Sequence, residues 1–413
     1  MNEHDYDFVI VGARCAGAAT ARLLAHSGAR VLLVDRGALG ADTLSTSYLM
    51  RGAVLQLSRW GLLPQLIAAG TPPVRATYFH YASQSMKIPI RPSQGVDALY
   101  APRRTLLDPM LVRAAEAAGV ETRFGARVDG LLRDDDGRVR GVELVIGHRR
   151  AVRVSAGMVI GADGLWSSVA RWVKAGTYRH GKHGAACLYG YFEGLGLDAY
   201  HWHYADGVGA GVAPTDGGLY TVFAGGPREL VPDRDGDRFG CMLRIVRKLS
   251  SQLAAQLAAA RREGAMRMFP GRPGVSRVPY GPGWALVGDA GYFRDPNTAH
   301  GISDALRDAE LLANALTQGR EAALEHYQHT RDAATERLMY ASDELAGGGW
   351  DEARLDVLLR EASEGMREGA RVIDSFARAS QPAASNLVAL HQRSAGTPFS
   401  RLETRTDSMS GLE

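Results

Sequence analysis

Cysteine is scarce in this chain: three residues in 413, Cys15, Cys187 and Cys241, far apart and without a C-x-x-C pair. That argues against a disulfide scaffold and against a zinc cluster, and for a reducing compartment. No set of metal ligands is read from the sequence. Charge of one sign is also lacking. Lysine and arginine number 48 against 45 acids, a net charge of +3, and the basic residues are scattered among the acidic ones. With no long basic run, a nucleic-acid surface is not expected. No apolar stretch approaches the ~20 residues that a membrane span requires. The start, "MNEHDYD", is acidic and runs straight into a strand-like stretch, so no secretory leader is expected and a cytoplasmic location is. Internal repeats and low-complexity tracts are missing too.

What is present is ordinary globular material, 46% hydrophobic and 23% charged, enough for a large core and more than one domain. "YDFVIVG" reads as a buried strand, "AGAATARLLAHSG" as an Ala/Leu-rich helix ending at Gly28, and "RVLLVDR" as a second strand. Two short helices follow over 50–69, extended segments over 76–80 and 86–90, and a helix at "RTLLDPMLVRAAEAAG". A meander turning at "DDDG" comes next, then the strand "AGMVIGADG". From 176 to about 274 the runs become short, aromatic and alternating, divided by Gly and Pro, with a helix expected near 236–262. "GWALVGDAG" then restores the buried-strand style. The expected fold is α/β: a Rossmann-like domain interrupted by a β-rich domain, with C-terminal helices. Residues 1–75, 98–175 and 275–345 are assigned to the first, 76–97 and 176–274 to the second. Residues 346–413 are expected to be a helical segment with a flexible polar tail.

"GARCAG" carries the first chemistry. In a strand–turn–helix unit the first glycine of G-x-G-x-x-G makes the tight turn, the second admits a pyrophosphate and the third lets helix and strand approach. Gly12 and Gly17 keep the first and third roles, and Arg14 replaces the second glycine beside Cys15 and Ala16. Asp35, 23 residues after Gly12, ends the second strand, where an acid can accept hydrogen bonds from ribose hydroxyls. A glycine turn in any βαβ unit is the plainer reading of the stretch alone. Cys15 reads better as a small buried thiol than as a redox group. Arg14 and Arg36 either add charge near phosphates or are simply solvated.

Two further stretches, "VIGADGLWSSVARW" (159–172) and "ALVGDAGYFRDPNTAHGISDALRDAELLA" (285–313), resemble the DG and GD motifs of the group A flavoprotein monooxygenases, the para-hydroxybenzoate hydroxylase family. "APRRTLLDPMLVRAA" resembles that family's R-x-x-L-D helix start, and "LMRGAVLQL" its segment after the second strand. The resemblance spans roughly residues 5–315 and implies FAD as cofactor and NAD(P)H as reductant. It further implies O2 activation as a flavin C4a-hydroperoxide that oxygenates a hydrophobic, aromatic or polyketide-like small molecule. It places Arg51, Arg104, Val128, Asp163, Gly288, Asp289, Pro296, Ala299, His300, Gly301 and Ile302 beside the flavin, with Pro296 and His300 also candidates for a catalytic role. Departures are Gly291-Tyr292, Ala299-His300, Ser303 and Ala170 at positions where the family has other residues. The fold is shared with flavin-dependent halogenases and geranylgeranyl-reductase-like enzymes, so reductase, dehydrogenase, halogenase and non-catalytic flavin-binding readings stay open. "HWHYADGVGAGVAP" has one tryptophan and no neighbouring lysine, which disfavours the tryptophan-halogenase pattern.

The β-rich segment is expected to form the substrate pocket. Tyr78, His80, Tyr191, Trp202, Tyr204 and Tyr220 are its candidates, and His201 or His203 is a candidate acceptor of a phenol-like proton. Side chains alternate across a strand, so only half of residues 201–204 can face one side. An aromatic sheet core is the competing reading for each.

Overall fold

The computed structural model describes residues 5–45, 47–81, 84–147, 151–231, 236–318 and 321–379. Residues 1–373 form one compact unit. A second begins at Asp374, and of it only helix through Ala379 is described. The tail expected beyond it lies outside the described residues.

Continuous apolar runs such as Phe8–Val11 and Val31–Val34 can only be covered from both faces, which is the condition for a parallel sheet. The strand Tyr6–Val11 accordingly lies between Val31–Asp35 and Val152–Gly161, with Val9 paired to both Leu32 and Val159. Glu121–Phe124 extends one side in parallel and Trp284–Leu286 the other. Tyr280–Gly281 closes that edge. The meander strands Ala126–Arg133 and Val139–Ile146 join antiparallel through Val152–Gly161, making eight strands in all among the described residues. The helix Cys15–His26 packs against the helices Arg104–Ala117 and Gly301–Gln318.

A second sheet has the order Arg262–Phe269, Ala186–Glu193, Leu219–Gly226, Val208–Pro214, Tyr200–Ala205, Ala76–Tyr81 and Gln84–Pro89. Every neighbouring pair is antiparallel except Ala76–Tyr81 beside Tyr200–Ala205. Leu188, Phe192, Val212 and Val222 project from one face onto Met242, Ile245 and Leu257. Those three belong to two helices, Arg238–Leu249 and Ser251–Ala259, not to the one helix expected over 236–262. Ser250 divides them: its Oγ accepts the Leu253 amide at 3.1 Å and caps the second. The chain turns into strand from Arg262. Thr177–His180, Val275–Arg277 and Tyr292–Phe293 form a small third sheet. Among the described residues no helix is long and apolar enough to cross a membrane.

Candidate functional site

The turn after the first strand is built around close backbone contact. Gly12 has φ +106°, and a Cβ there would fall 2.4 Å from the Ala162 carbonyl oxygen. A Cβ on Gly17 would fall 1.8 Å from the Gly12 oxygen. Both positions require glycine, and together they bring the helix start against two strands. Arg14 precedes Cys15–His26 in extended conformation (φ −96°) and its side chain does not cap the helix, so the first-turn amides face outward unblocked. Asp35 accepts the Ala13 amide at 2.8 Å and the Gly37 amide at 2.7 Å. Each carboxylate oxygen retains a lone pair for a further donor. Cys15 donates to Asp108 at 3.3 Å, and burial pushes its thiol up, so it stays protonated. Asp108 in turn takes a two-point bond from Arg104 (2.9 and 3.0 Å).

The other two motifs meet this turn. Asp163 accepts the Ser167 hydroxyl at 2.5 Å and the Ser168 amide at 2.6 Å, fixing the loop before the helix Ser168–Trp172. Arg277 donates to the Ala290 carbonyl at 2.8 Å and the Leu165 carbonyl at 3.3 Å, tying the 163–166 and 288–291 turns together. Gly288 (φ +59°) passes so close to Ala16 that a Cβ would lie 2.8 Å from that methyl. Asp289 is open to the cavity but enclosed by protein on its other sides, and this desolvation raises its pKa to about 6. Asp295 is buried, accepting the Ala185 amide at 2.8 Å and the Asn297 amide at 3.0 Å, and burial raises it to about 7.

Gly301–Gln318 then begins after Ala299, a left-handed residue at φ +50°. Asp304 in its first turn is neutralised by Arg294 (2.9 Å) and Arg307 (2.8 Å), both buried. The positive end of the helix dipole therefore opens at Gly301 without a free acid to oppose it. The loop 294–300 is held from the helix Glu321–Gly347, where the Ser342 carbonyl accepts Asn297 Nδ2 at 2.8 Å.

These turns and helix starts border one cavity of about 910 Å³. Its lining includes Gly12, Arg14, Cys15, Ala16, Asp35 and Arg36 from the first turn, Arg104, Val128, Asp163 and Asp289, and Pro296, Ala299, Gly301 and Ile302 around the last helix start. Its floor is the open face of the seven-stranded sheet, with Tyr189, Tyr204 and Phe223 around Gly209 and Gly225. An uncapped helix start, two glycine contacts and a cavity of about 910 Å³ bordered by the turns fit a dinucleotide with a planar ring system, so the residues present suit FAD.

Several expected residues are elsewhere. Gly17 and Gly288 shape the turn from behind its surface. Arg51 points away from the cavity and donates to the Arg91 carbonyl at 2.5 Å and the Val96 carbonyl at 3.3 Å. The His300 ring is buried beside Asp304, outside the cavity lining, and burial lowers its pKa to about 4; only its backbone leads into the helix start. It is therefore not placed as a catalytic acid or base. His201 and His203 fall on the far face of the sheet, with Tyr78 and His80, because the strand alternates and the even-numbered residues take the cavity side. Trp202 is on the cavity side but lies under Tyr48 and Phe223, at 5.2 and 5.8 Å. Tyr191 and Tyr220 do not reach the lining either; of the aromatic candidates Tyr204 does. Sequence reasoning missed Tyr48, Tyr189 and Phe223. The signal was present in "GVGAG": glycine at alternate strand positions, Gly209 and Gly211, marks a sheet face onto which neighbouring rings fold, Tyr204 beside Gly209 and Phe223 over Gly211.

A family model described as "FAD binding domain" matches residues 5–342, most of the chain. Digeranylgeranylglycerophospholipid reductase 1 of Methanococcoides burtonii is 27% identical over 320 residues, 75% of this chain and 73% of that protein. Aklavinone 12-hydroxylase RdmE of Streptomyces purpurascens is 26% identical over 385 residues, 82% and 68%. Among solved structures, the flavin-dependent brominase Bmp2 superposes with a TM-score of 0.73 at 19% identity, over 94% of this chain and 99% of that one. The chain therefore belongs to the FAD-binding domain family and is an FAD-dependent oxidoreductase by family, while its relatives divide among reductase, hydroxylase and halogenase.

Proposed function

We propose that this member of the FAD-binding family is a monooxygenase that takes reducing equivalents from NADH or NADPH and oxygenates a hydrophobic, aromatic or polyketide-like small molecule with O2. The observation that carries this reading is the cavity floor. Tyr189, Tyr204 and Phe223 line it, with Tyr204 beside Gly209 and Phe223 packed over Gly211, an aromatic surface that suits a planar ring. No lysine lines the cavity among the described residues, so a lysine relay of oxidised halogen has no candidate there. FAD, when bound, supplies the redox chemistry and the activation of oxygen. The chain's own contribution is to hold and shield. The first-turn amides of Cys15–His26 and the Arg14 guanidinium bind phosphates, Asp35 and Asp289 accept hydroxyl hydrogen bonds, and the helix start at Gly301 stabilises negative charge on the ring system. The aromatic floor excludes water from the reacting face.

On this reading the segments of the eight-stranded sheet are the FAD-binding domain, and the seven-stranded sheet is the substrate domain inserted into it. A reductase of an unsaturated hydrophobic substrate is the second reading, supported by the 27% identity to the M. burtonii reductase over three quarters of the chain. Oxygen consumption separates them. Substrate-stimulated NAD(P)H oxidation with matching O2 uptake, across a panel of phenols and polycyclic aromatics, supports the monooxygenase. NAD(P)H oxidation that continues unchanged without oxygen, with a reduced product, overturns it.

A further inference from the structure

The far face of the seven-stranded sheet holds a cluster that flavin chemistry does not use. His80 comes from Ala76–Tyr81, and His201 and His203 come from Tyr200–Ala205. The two strands run parallel with His203 opposite His80 and His201 opposite Tyr78, so the two-residue strand period gathers the three imidazoles on one side. His80 Nε2 and His201 Nδ1 are 3.0 Å apart, and one ring nitrogen from each of the three residues lies within 4.8 Å of the others. His203 is buried, and its Nδ1 has no hydrogen-bond partner. A buried polar nitrogen without a partner calls for an explanation.

A tetrahedral ion with metal–nitrogen bonds of ~2.0–2.1 Å holds its ligand nitrogens roughly 3.4 Å apart. The His80–His201 pair is already slightly closer than that. His203 needs to approach by no more than about 1.4 Å, within the reach of small side-chain rotations. Tyr78 stacks on His201 with centroids 4.8 Å apart, and Lys87 Nζ lies 5.4 Å from the centroid of the Tyr78 ring. Asp198 acts on His201 from nearby.

We propose that His80, His201 and His203 form a three-histidine site for one divalent transition-metal ion of the zinc class, with its remaining position open to water. Imidazole ligands select borderline ions such as Zn²⁺, Ni²⁺ and Cu²⁺ over Mg²⁺ and Ca²⁺, which want oxygen. The ion clips Ala76–Tyr81 to Tyr200–Ala205 from behind the cavity. Trp202, between two of the ligands, faces the other way beneath Tyr48, so metal binding steadies the floor of the pocket without touching substrate.

The test is zinc binding to the flavin-loaded protein after chelator treatment, by dialysis against micromolar zinc followed by metal analysis. The wild type is expected to retain one zinc per chain. His80→Gln, His201→Gln and His203→Gln are each expected to weaken retention at least tenfold, with flavin content unchanged. The exposed pair His326 and His329 serves as the control, and His326→Gln/His329→Gln is expected to bind like the wild type. Zinc is also expected to raise the melting temperature of the wild type and not of the His80→Gln protein. His80 is only partly buried, so this variant decides the matter even if His203→Gln does not fold. Equal zinc retention by wild type and His80→Gln, or no retention by either, overturns the proposal.

Discussion

Replacing Gly12 by alanine tests how the phosphate turn is built. The new methyl would stand 2.4 Å from the Ala162 oxygen and 2.7 Å from its carbonyl carbon. Both are backbone atoms following a central strand, so no side-chain rotation relieves the contact. The residue would also have to hold φ +106°, a region that costs a non-glycine residue about 1–3 kcal/mol. Overpacking adds about 1–3 kcal/mol. The turn therefore either keeps its place under roughly 2–6 kcal/mol of strain or moves away from the phosphates. At about 1.4 kcal/mol per factor of ten, a displaced turn lowers FAD affinity by about 30-fold to 10⁴-fold. Fluorescence titration of the flavin-free protein with FAD measures this directly, with circular dichroism as the check on folding. Arg14→Gly is the companion, expected to bind FAD within about tenfold of wild type, because the helix start is uncapped with or without that side chain. A folded Gly12→Ala protein that binds FAD as tightly as wild type would show that this turn does not hold the phosphates.

Three further outcomes follow from the same geometry. Arg307→Leu strips Asp304 and Asp308 of a buried partner and is expected to cost about 3–5 kcal/mol in urea unfolding, whereas a loss below about 1 kcal/mol would show that the network is dispensable. Asp295, held at about 7 against 3.8 for an ordinary aspartate, binds its proton more tightly in the folded chain. Stability should therefore fall as pH rises from about 4 to about 7, by at most about 1.4 kcal/mol per pH unit. Melting of flavin-free Asp295→Asn at about pH 5 and about pH 8 should show a smaller drop than wild type, and parallel curves would contradict the assignment. Gly209→Val sends a side chain from the cavity floor, where a Cβ has ordinary clearance at 3.4 Å from Tyr204. Substrate KM is expected to rise about tenfold or more while flavin content stays constant, and an unchanged KM would place the substrate elsewhere.

The buried parallel strands and the glycine turn were legible in the chain because both are local: a continuous apolar run needs cover on both faces, and a turn at φ +106° needs glycine. The faces of the second sheet were not. Alternation divides residues 201–204 into two sides, but which side meets the cavity depends on the helices Arg238–Leu249 and Ser251–Ala259 covering the opposite one, a fact of tertiary packing. The histidines consequently lie behind the pocket instead of in it. Arg51 was misplaced for a similar reason, its loop partners at 91 and 96 being invisible to local pattern. The Asp304–Arg307 pair follows from helical spacing, whereas Arg294 joins it through a loop. The three-histidine cluster joins residues 121 positions apart, and no spacing rule links His80 to His201.

Turnover of an accepted aromatic substrate under ¹⁸O2, followed by mass spectrometry of the product, tests the oxygenation claim most directly. One oxygen atom from ¹⁸O2 is expected in the product, with NAD(P)H and O2 consumed in equal amounts. A product that has gained hydrogen and no labelled oxygen, formed equally well without O2, would contradict it.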